Sequence, residues 1–267
     1  MSPIRHRKEP TYETAARPIV GFSYDYPPGM VSGFHSHKRA QLLYAISGVM
    51  HVDTSDASFV VPPTTALFLP ANARHCVSMD GPVAMRELFL REDAARMVSA
   101  EPKVISVSGL LREVIVATCQ EPLEWDPLGR VHHLAALALD EIGKSSALPL
   151  RLPLPKDARL SNLVKALRQR PDDPRTLEEW SELANASSRT LARKFRAETG
   201  LSFRQWRQQA RLTEALSALT MGTTPAKAAS IAGFKSVPAF GAAFRSLFGI
   251  TPGQARNLGG ADAEKHS

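Results

Sequence analysis

The segment Leu148–Pro155 limits the fold more than any other stretch, because it carries three prolines within eight residues. Proline locks its own φ angle and removes a backbone donor, so no helix can cross this segment. An extended linker is therefore predicted over 147–156. The chain of 267 residues is long enough for two domains, and the pattern of apolar residues differs on the two sides of the linker. We predict an α+β protein with two domains joined here.

The part before the linker begins with strands and ends with helices. Short runs rich in Val, Leu, Phe and Met alternate with Gly, Pro and Asp turns over 1–92, which is typical of a small barrel or sandwich. The predicted strands are Gln41–Ser47, Val49–Thr54, Ser58–Val61, Ala66–Leu69 and Val83–Leu90. Apolar residues then recur at helical spacing in Gly109–Gln120 and Pro127–Lys144. The segment 93–146 is therefore predicted to be a helical appendix of the strand-rich domain.

Charge is distributed unevenly along the chain. Residues 1–150 carry 14 Lys and Arg against 16 Asp and Glu, a net charge of −2, whereas 151–267 carry 19 against 10, a net charge of +9. A basic domain joined to a nearly neutral one is typical of a nucleic-acid-binding protein. Charge alone leaves the alternative that the basic surface is only a solvated face.

Composition excludes several other classes of protein. Hydrophobic residues make up 43% and charged residues 22%, which argues against collagen-like and disordered chains. Two cysteines, Cys76 and Cys119, are too few for a disulfide scaffold. No apolar run approaches the roughly 18 residues of a membrane helix, and no apolar stretch of a signal peptide follows the charged N-terminus. We expect a cytoplasmic protein that does not engage a membrane.

A helix-turn-helix unit is predicted over 176–199. Thr176 followed three residues later by Glu179 is a capping box, and it begins an apolar helical pattern. A short polar turn follows, in which either Ser187 or Ser188 caps a second, basic helix that ends at Gly200. In this geometry the second helix enters the major groove of DNA.

The pattern recurs over 224–248. Thr224 is a cap with Pro225 at the first helical position, and Ser236 caps the helix after the turn. The helix Phe203–Leu219 lies between the two units, and its length of about 25 Å suits two readers roughly one DNA turn apart.

This arrangement resembles the AraC/XylS family of transcriptional regulators. About 100 residues carry the resemblance in the family's order, at Leu191, Arg193, Phe195, Thr199, Gly200, Ser202, Phe203, Ala228, Gly233, Phe234, Phe240, Phe244, Phe248 and Thr251-Pro252. It implies an all-α DNA-binding domain over 157–257, double-stranded promoter DNA, a homodimer formed through the appendix, a small-molecule effector and, for an activator, RNA polymerase as a partner.

The resemblance also places DNA contacts on the first reader. Base-edge contacts fall on Ser188, Arg189, Thr190 and Arg193. Arginine is suited to this role because it bonds guanine in a bidentate manner. Partners for the DNA backbone are Lys194, Arg196, Arg204, Arg207 and Arg211, unless these cations are only solvated.

The second reader departs from that pattern. The equivalent positions lack hydrogen-bonding side chains, which leaves methyl contacts to thymine. They are Val237, Pro238, Ala239 and Ala242. The neighbouring Lys235, Ser236 and Arg245 suit the DNA backbone.

Two motifs in the N-terminal half resemble those of cupins, which are small β-barrels with an internal pocket. The first motif has Gly29, His35, His37, Gln41 and Gly48, and the second has Pro70, Asn72 and His75. Enzymatic cupins hold a metal on three histidines and a carboxylate. Here His35, His37 and His75 take the histidine positions, and Gln41 takes that of the carboxylate. Two histidines at i and i+2 of a strand point to the same face, as metal ligands must.

These residues leave two interpretations of the pocket. Either His35, His37, His75 and Gln41 hold a divalent metal, or they line a polar effector pocket without one. Cys76, next to His75, is either a redox or electrophile sensor or a buried small residue.

The sequence as a whole predicts a DNA-binding transcriptional regulator that is not an enzyme and is controlled by an effector in its cupin-like domain. The alternative is a metal-dependent cupin enzyme tethered to nucleic acid. Gln41 argues against it, because a catalytic cupin is expected to keep the carboxylate.

Overall fold

The computed structural model describes residues 11–96, 98–148 and 150–260. The first ten residues of the predicted barrel and Pro149 of the predicted linker lie outside the described residues. The chain separates into two compact units. One takes in the described residues of Met1–Thr54 and Phe59–Leu150, and the other those of Ser55–Ser58 and Arg151–Ser267.

The first unit is built on two antiparallel sheets. The order in the first sheet is β1 (Ile19–Tyr26), β7 (Val83–Leu90), β2 (Ala40–Ser47), β5 (Thr65–Leu69) and β8 (Lys103–Ser106). In the second sheet, β6 (His75–Met79), β3 (Met50–Thr54) and β4 (Ala57–Val61) are neighbours in that order. The inner positions of β3 and β6 alternate with half-buried ones, the period of two that places one face of a strand in a core.

Two helices cover the first sheet. Helix α1 (Glu92–Ala95) is short, whereas α2 (Gly109–Cys119) and α3 (Arg130–Lys144) are long and pack against each other. Their buried faces share one apolar core with residues of β1, β2, β5 and β7. The Ser108 hydroxyl caps α2 by accepting from the Leu111 N–H.

Three strands of the first unit were not predicted from the sequence, namely β1, β6 and β8. Strand β8 lies within the segment 93–146, whose helical pattern conceals it, and it pairs with β5 from Thr65 to Phe68. Strand β1 contains Gly21, at which a Cβ atom would lie 2.5 Å from the Cα of Cys119 in α2. Glycine weakens a strand pattern, but this position needs it because a helix backbone passes so close.

Helices make up most of the second unit. After the short strand β9 (Arg151–Pro153) come α4 (Ala158–Gln169), α5 (Leu177–Leu183), α6 (Ser188–Thr199), α7 (Phe203–Thr220), α8 (Pro225–Ile231), α9 (Val237–Phe248) and α10 (Pro252–Gly260). Trp206 is fully buried in the core of the first helix-turn-helix unit and donates its indole N–H to the Pro153 carbonyl at 2.8 Å. In α9, the rings of Phe240, Phe244 and Phe248 contact one another in sequence.

Candidate functional site

The first reader, α6, is fixed at both ends by its own sequence. The Ser187 hydroxyl accepts from the Thr190 N–H at 3.2 Å, so Ser187 rather than Ser188 is the cap. Gly200 ends the helix in the left-handed conformation. Leu191 and Phe195 bury one face in the core. The opposite face is therefore free to meet a partner.

That opposite face carries the residues predicted to read bases. Arg189 and Arg193 are exposed, and among the described residues neither forms an ion pair. Ser188 and Thr190 are half-buried, and the Thr190 hydroxyl shares a hydrogen bond of 2.9 Å with Ser187. The structure thus places the two arginines on the surface of the first half of α6, and the N-terminal part of such a helix meets base edges when it lies in the major groove.

Two cations predicted to contact the DNA backbone are occupied within the domain. The Lys194 ammonium pairs with Asp157, the N-cap residue of α4. Arg207 donates to the backbone carbonyls of Arg175 and Asp173 from a half-buried position. These contacts give both side chains a structural role within the domain, and their predicted phosphate contacts stay predictions.

Arg211 has the same structural role, because it donates to the carbonyls of Pro171 and Asp173. Arg196 and Arg204, in contrast, are exposed. Five N–H donors in a fixed fork suit arginine to such carbonyls as well as to phosphate, so residue type alone does not distinguish the two roles.

The second reader, α9, presents a surface without side-chain donors at its start. The Ser236 hydroxyl accepts from the Ala239 N–H at 3.4 Å, and Gly249 ends the helix with a φ of 73°. The exposed residues of this surface are Val237, Pro238, Ala239 and Ala242. Lys235, Ser236 and Arg245 beside it are also exposed.

In the first unit, the three predicted histidines come together. His35 and His75 exchange two backbone hydrogen bonds, of 2.8 and 2.9 Å, which set them directly opposite each other. His37 is two residues farther along on the same side. One ring nitrogen of each histidine lies within 4.8 Å of the corresponding nitrogens of the other two.

A cavity lined by residues of both sheets adjoins His35 and His37, whereas His75, which was predicted to belong to the pocket, is not among its lining residues. About 30 Å³ inside it is open to the centre of a water molecule. Its lining combines polar groups with aromatic and methionine side chains, among them Tyr12, Tyr26, His35, His37, Gln41, Met85, Glu87 and Phe89. Such a mixed lining is typical of a small-molecule site.

Each histidine holds an acceptor at Nδ1. These acceptors are the Gly33 carbonyl for His35 at 3.0 Å, the Glu13 carboxylate for His37 at 2.9 Å and the Ala73 carbonyl for His75 at 2.8 Å. Such acceptors place the ring proton on Nδ1 and leave Nε2 as an acceptor, as the groups behind metal-binding histidines do. Burial lowers the pKa of His75 to about 4, so its ring is neutral at pH 7.

Two buried acceptor atoms at this site fit a bound metal ion. Nε2 of His75 and Oε1 of Gln41 are buried acceptors without a hydrogen-bond partner among the described residues. Orphaned acceptors of this kind are rare because they lose hydration without compensation. Three converging imidazoles match the ligand preferences of zinc and similar transition metals, and the Gln41 side chain lines the cavity beside His35 and His37.

Sequence reasoning missed two carboxylates at this site. Glu13 lies in a 3-10 turn at Thr11–Glu13, and it accepts from His37 and from the Lys38 N–H. Glu87, on β7, accepts from Nε2 of Gln41 at 2.5 Å. Burial raises the pKa of Glu87 to about 7. Neither residue belongs to a recognisable motif, and the inward position of Glu87 among the apolar residues of β7 was the only signal.

The two cysteines have different environments. Cys76 is half-buried on β6 with a free thiol. Cys119 donates weakly to the carbonyls of Phe22 and Glu87, and burial raises the pKa of its thiol to about 12. Cys119 is therefore an inert thiol that packs α2 on the first sheet.

The two halves match the family models that their folds suggest. A helix-turn-helix domain model matches residues 180–258, and a cupin domain model matches residues 22–90. In the described residues, no helix has the length and apolarity to cross a membrane. These matches confirm the predicted fold class: the protein joins a strand-rich cupin domain to a helix-turn-helix domain.

The chain is similar to a bacterial transcriptional regulator over most of its length. It is 30% identical over 225 residues to the HTH-type transcriptional regulator NimR of Escherichia coli, covering 84% of this chain and 82% of NimR. The chain therefore belongs to the AraC-type helix-turn-helix transcriptional regulators that carry a cupin domain. It is also 37% identical over 101 residues to the regulator RipA of Corynebacterium glutamicum, covering 38% and 30% of the two chains.

Solved structures also resemble the chain. ToxT of Vibrio cholerae aligns over 91% of this chain and 99% of its own at 10% identity, with a TM-score of 0.39. An AraC-type regulator from Chromobacterium violaceum covers 39% of this chain and 95% of its own at 23% identity, with a TM-score of 0.37.

Proposed function

We propose that this regulator reads promoter DNA mainly through α6, with Ser188, Arg189, Thr190 and Arg193 at base edges. The observation that carries the proposal is the exposure of Arg189 and Arg193, without ion pairs among the described residues, on a capped helix of a helix-turn-helix domain. A guanidinium bonds guanine O6 and N7 together, so these residues favour guanine in the half-site.

The DNA backbone contacts fall on exposed residues of both readers. Arg196 and Arg204 serve the first reader, and Lys235, Ser236 and Arg245 serve the second. Such contacts fix the register of the protein on the duplex without reading its sequence. Four of these residues are among the 19 Lys and Arg residues of 151–267.

The cupin domain has a sensory role in this proposal. Its cavity binds a small-molecule effector beside His35, His37, Gln41 and His75, and these four side chains hold a divalent metal. Two orphaned buried acceptors support the metal site. A bound dication supplies positive charge to a cavity that otherwise offers acceptors. The protein has no catalytic activity of its own, and the neutral Gln41 at the carboxylate position supports this.

Regulation then follows from differential affinity. A homodimer formed through the segment 93–146 presents paired readers, and the effector favours one of their arrangements on promoter half-sites. Binding occurs in the cytoplasm, where promoter and RNA polymerase are found. A ligand can shift this equilibrium only by as much as it binds one state better than the other.

Salt dependence of DNA binding by the full chain tests the proposal. Binding to a selected promoter site should weaken steeply as salt rises, since each neutralised phosphate releases counterions. The Arg189→Ala/Arg193→Ala variant should lose preference for that site over random DNA but keep a similar salt slope. Unchanged preference in this variant would contradict the assignment of α6 as the main reader.

A further inference from the structure

The proposed metal ligands are all neutral, so a bound dication needs negative charge from other groups nearby. Three imidazoles and one amide bring no negative charge to a dication. An ion transferred from water into a buried site is stable only where other groups compensate its charge. The structure holds two buried carboxylates, each one hydrogen bond behind one of these donors.

Glu13 is the carboxylate behind His37. Its side chain is 9% exposed, and Oε1 lies 2.9 Å from Nδ1 of His37. The other oxygen accepts from the Lys38 N–H at 3.0 Å, which fixes the orientation of the carboxylate. A carboxylate at Nδ1 holds the ring tautomer and makes the opposite nitrogen a stronger ligand.

Glu87 is the carboxylate behind Gln41. Residue 87 is 4% exposed, and among the described residues its side chain accepts only from Nε2 of Gln41 and pairs with no lysine or arginine. An ionised carboxylate only accepts, so Gln41 turns its NH₂ group towards the ionised form of Glu87. This orientation leaves Oε1 of Gln41 as the orphaned acceptor.

The buried Arg39 does not form an ion pair with Glu13 or Glu87. Its guanidinium donates to the carbonyls of Ala15 and Arg17 rather than to either carboxylate. Its charge acts on Glu13 only at longer range. An anionic occupant of the cavity would meet two buried carboxylates, whereas a cation would be stabilised by both.

We infer that Glu13 and Glu87 are the charge-compensating residues of the metal site, and that the site takes a divalent transition metal. They act through His37 and Gln41 as positioning residues and replace the carboxylate ligand that position 41 lacks. This inference rests on the metal site of the proposed function. The nitrogen-rich donors favour zinc, cobalt or nickel over magnesium and calcium.

The test is a metal titration of the full chain after its metal has been removed with a chelator. Zn²⁺ affinity is measured against a chromophoric competitor for the wild type and for Glu13→Gln and Glu87→Gln, which keep side-chain size. Each variant should bind Zn²⁺ about 10–100-fold more weakly, as expected when a ligand loses the group hydrogen-bonded behind it. Asp25→Asn is the matched control, because Asp25 is an exposed carboxylate paired with Arg86 on the same sheet, and its affinity should stay unchanged.

A charge exchange separates this role from a purely structural one. Gln41→Glu combined with Glu87→Gln keeps the amide–carboxylate pair but moves the charge onto the ligand position. Zn²⁺ affinity should return to within about tenfold of the wild type, and the visible spectrum of bound Co²⁺ should report the altered ligand set. Thermal unfolding of each metal-free variant checks that the fold is intact.

The outcomes distinguish the inference from the proposals beneath it. If the wild type binds Zn²⁺ and both single variants bind it within threefold, the two carboxylates have no such role and the inference fails. If the wild type binds none of Zn²⁺, Co²⁺ and Ni²⁺, the metal site and this inference fail together. Promoter binding, measured in parallel, decides the DNA-reading proposal separately.

Discussion

The Lys194 ammonium and the Asp157 carboxylate form an ion pair that connects the first reader, α6, to the first turn of α4. The same carboxylate accepts from the N–H groups of Arg159 and Leu160, and these two hydrogen bonds fix its orientation independently of Lys194. Lys194 and Arg159 hold the pKa of Asp157 well below its usual range. Lys194 is two residues from Arg196. Lys194 pairs with Asp157, whereas Arg196 is exposed and forms no ion pair among the described residues.

We therefore expect Lys194 and Arg196 to differ in their effect on DNA binding. Arg196→Gln should reduce the slope of log affinity against log salt by about one, as the loss of one phosphate contact does. Lys194→Gln should leave that slope nearly unchanged, because its charge is paired within the domain. Affinity measurements over a range of salt concentrations check both, and a slope reduced equally by the two variants would contradict the ion-pair interpretation.

Arg193 should carry sequence preference in the half-site read by α6. Arg193→Ala should weaken specific binding by roughly 10–100-fold, because a bidentate arginine–guanine pair contributes about 1–3 kcal/mol of discrimination. Ala242→Ser on α9 is the control and should do far less. Selection of preferred sites from random DNA makes the measurement. The assignment of the readers would be wrong if the sequence preference lay in the half-site of α9 and Arg193→Ala left that preference unchanged.

The exposed apolar start of α9 should recognise thymine methyl groups. Replacing thymine by uracil in its half-site removes only the methyl, and each contacted position should cost about 0.8 kcal/mol, or roughly fourfold in affinity. Val237→Ser should make the protein less sensitive to this replacement. The same change in the half-site of α6 serves as the control. Equal effects in both halves would show that α9 has no special preference for the methyl.

Arg207 should contribute to folding rather than to DNA binding. Arg207→Ala removes donors to the carbonyls of Asp173 and Arg175, and charged hydrogen bonds of this kind contribute about 1–3 kcal/mol to the free energy of unfolding. Arg204→Ala, at an exposed position on the same helix, should change that free energy little. Denaturant unfolding compares the two variants. A larger loss of stability from Arg204→Ala would overturn this division of roles.

Gly21 should not tolerate a side chain. A Cβ atom there would lie 2.5 Å from the Cα of Cys119 and 2.6 Å from the Thr118 carbonyl oxygen, both backbone atoms of α2. Gly21→Ala should lower the free energy of unfolding by about 1–3 kcal/mol, the usual cost of overpacking. Gly143→Ala in α3, where a Cβ would meet nothing within 4 Å, is the control and should be neutral or stabilising.

Local chemistry explains why the DNA-binding half could be predicted well. The capping box of Thr176 and Glu179, the cap at Thr224 and the left-handed Gly200 and Gly249 act within a few residues of the chain. Helices of this kind begin and end where the sequence signals lie, because their terminal hydrogen bonds are made by neighbours. The motif spacing of His35, His37 and His75 likewise sufficed to predict that they converge.

Charge and residue type did not predict which arginine and lysine side chains are bound within the domain. Arg204 and Arg207 look alike in sequence, but one is exposed and the other is held by backbone carbonyls. Three positions turn a helix by about 300°, so Arg204 and Arg207 lie only about 60° apart around α7, and the loop that carries Asp173 and Arg175 contacts Arg207. The contact partner depends on the path of that loop and not on the residue itself.

The sequence by itself determined the two-domain class, the helix-turn-helix units with their caps, and the histidine cluster, because each depends on short-range spacing. Only the tertiary structure decided that Glu13 lies behind His37 and Glu87 behind Gln41, at separations of 24 and 46 residues. It also decided that Lys194 and Arg207 are occupied within the domain. Long-range pairing of polar groups is selected by burial, which leaves each buried donor and acceptor to find whatever partner the fold brings near.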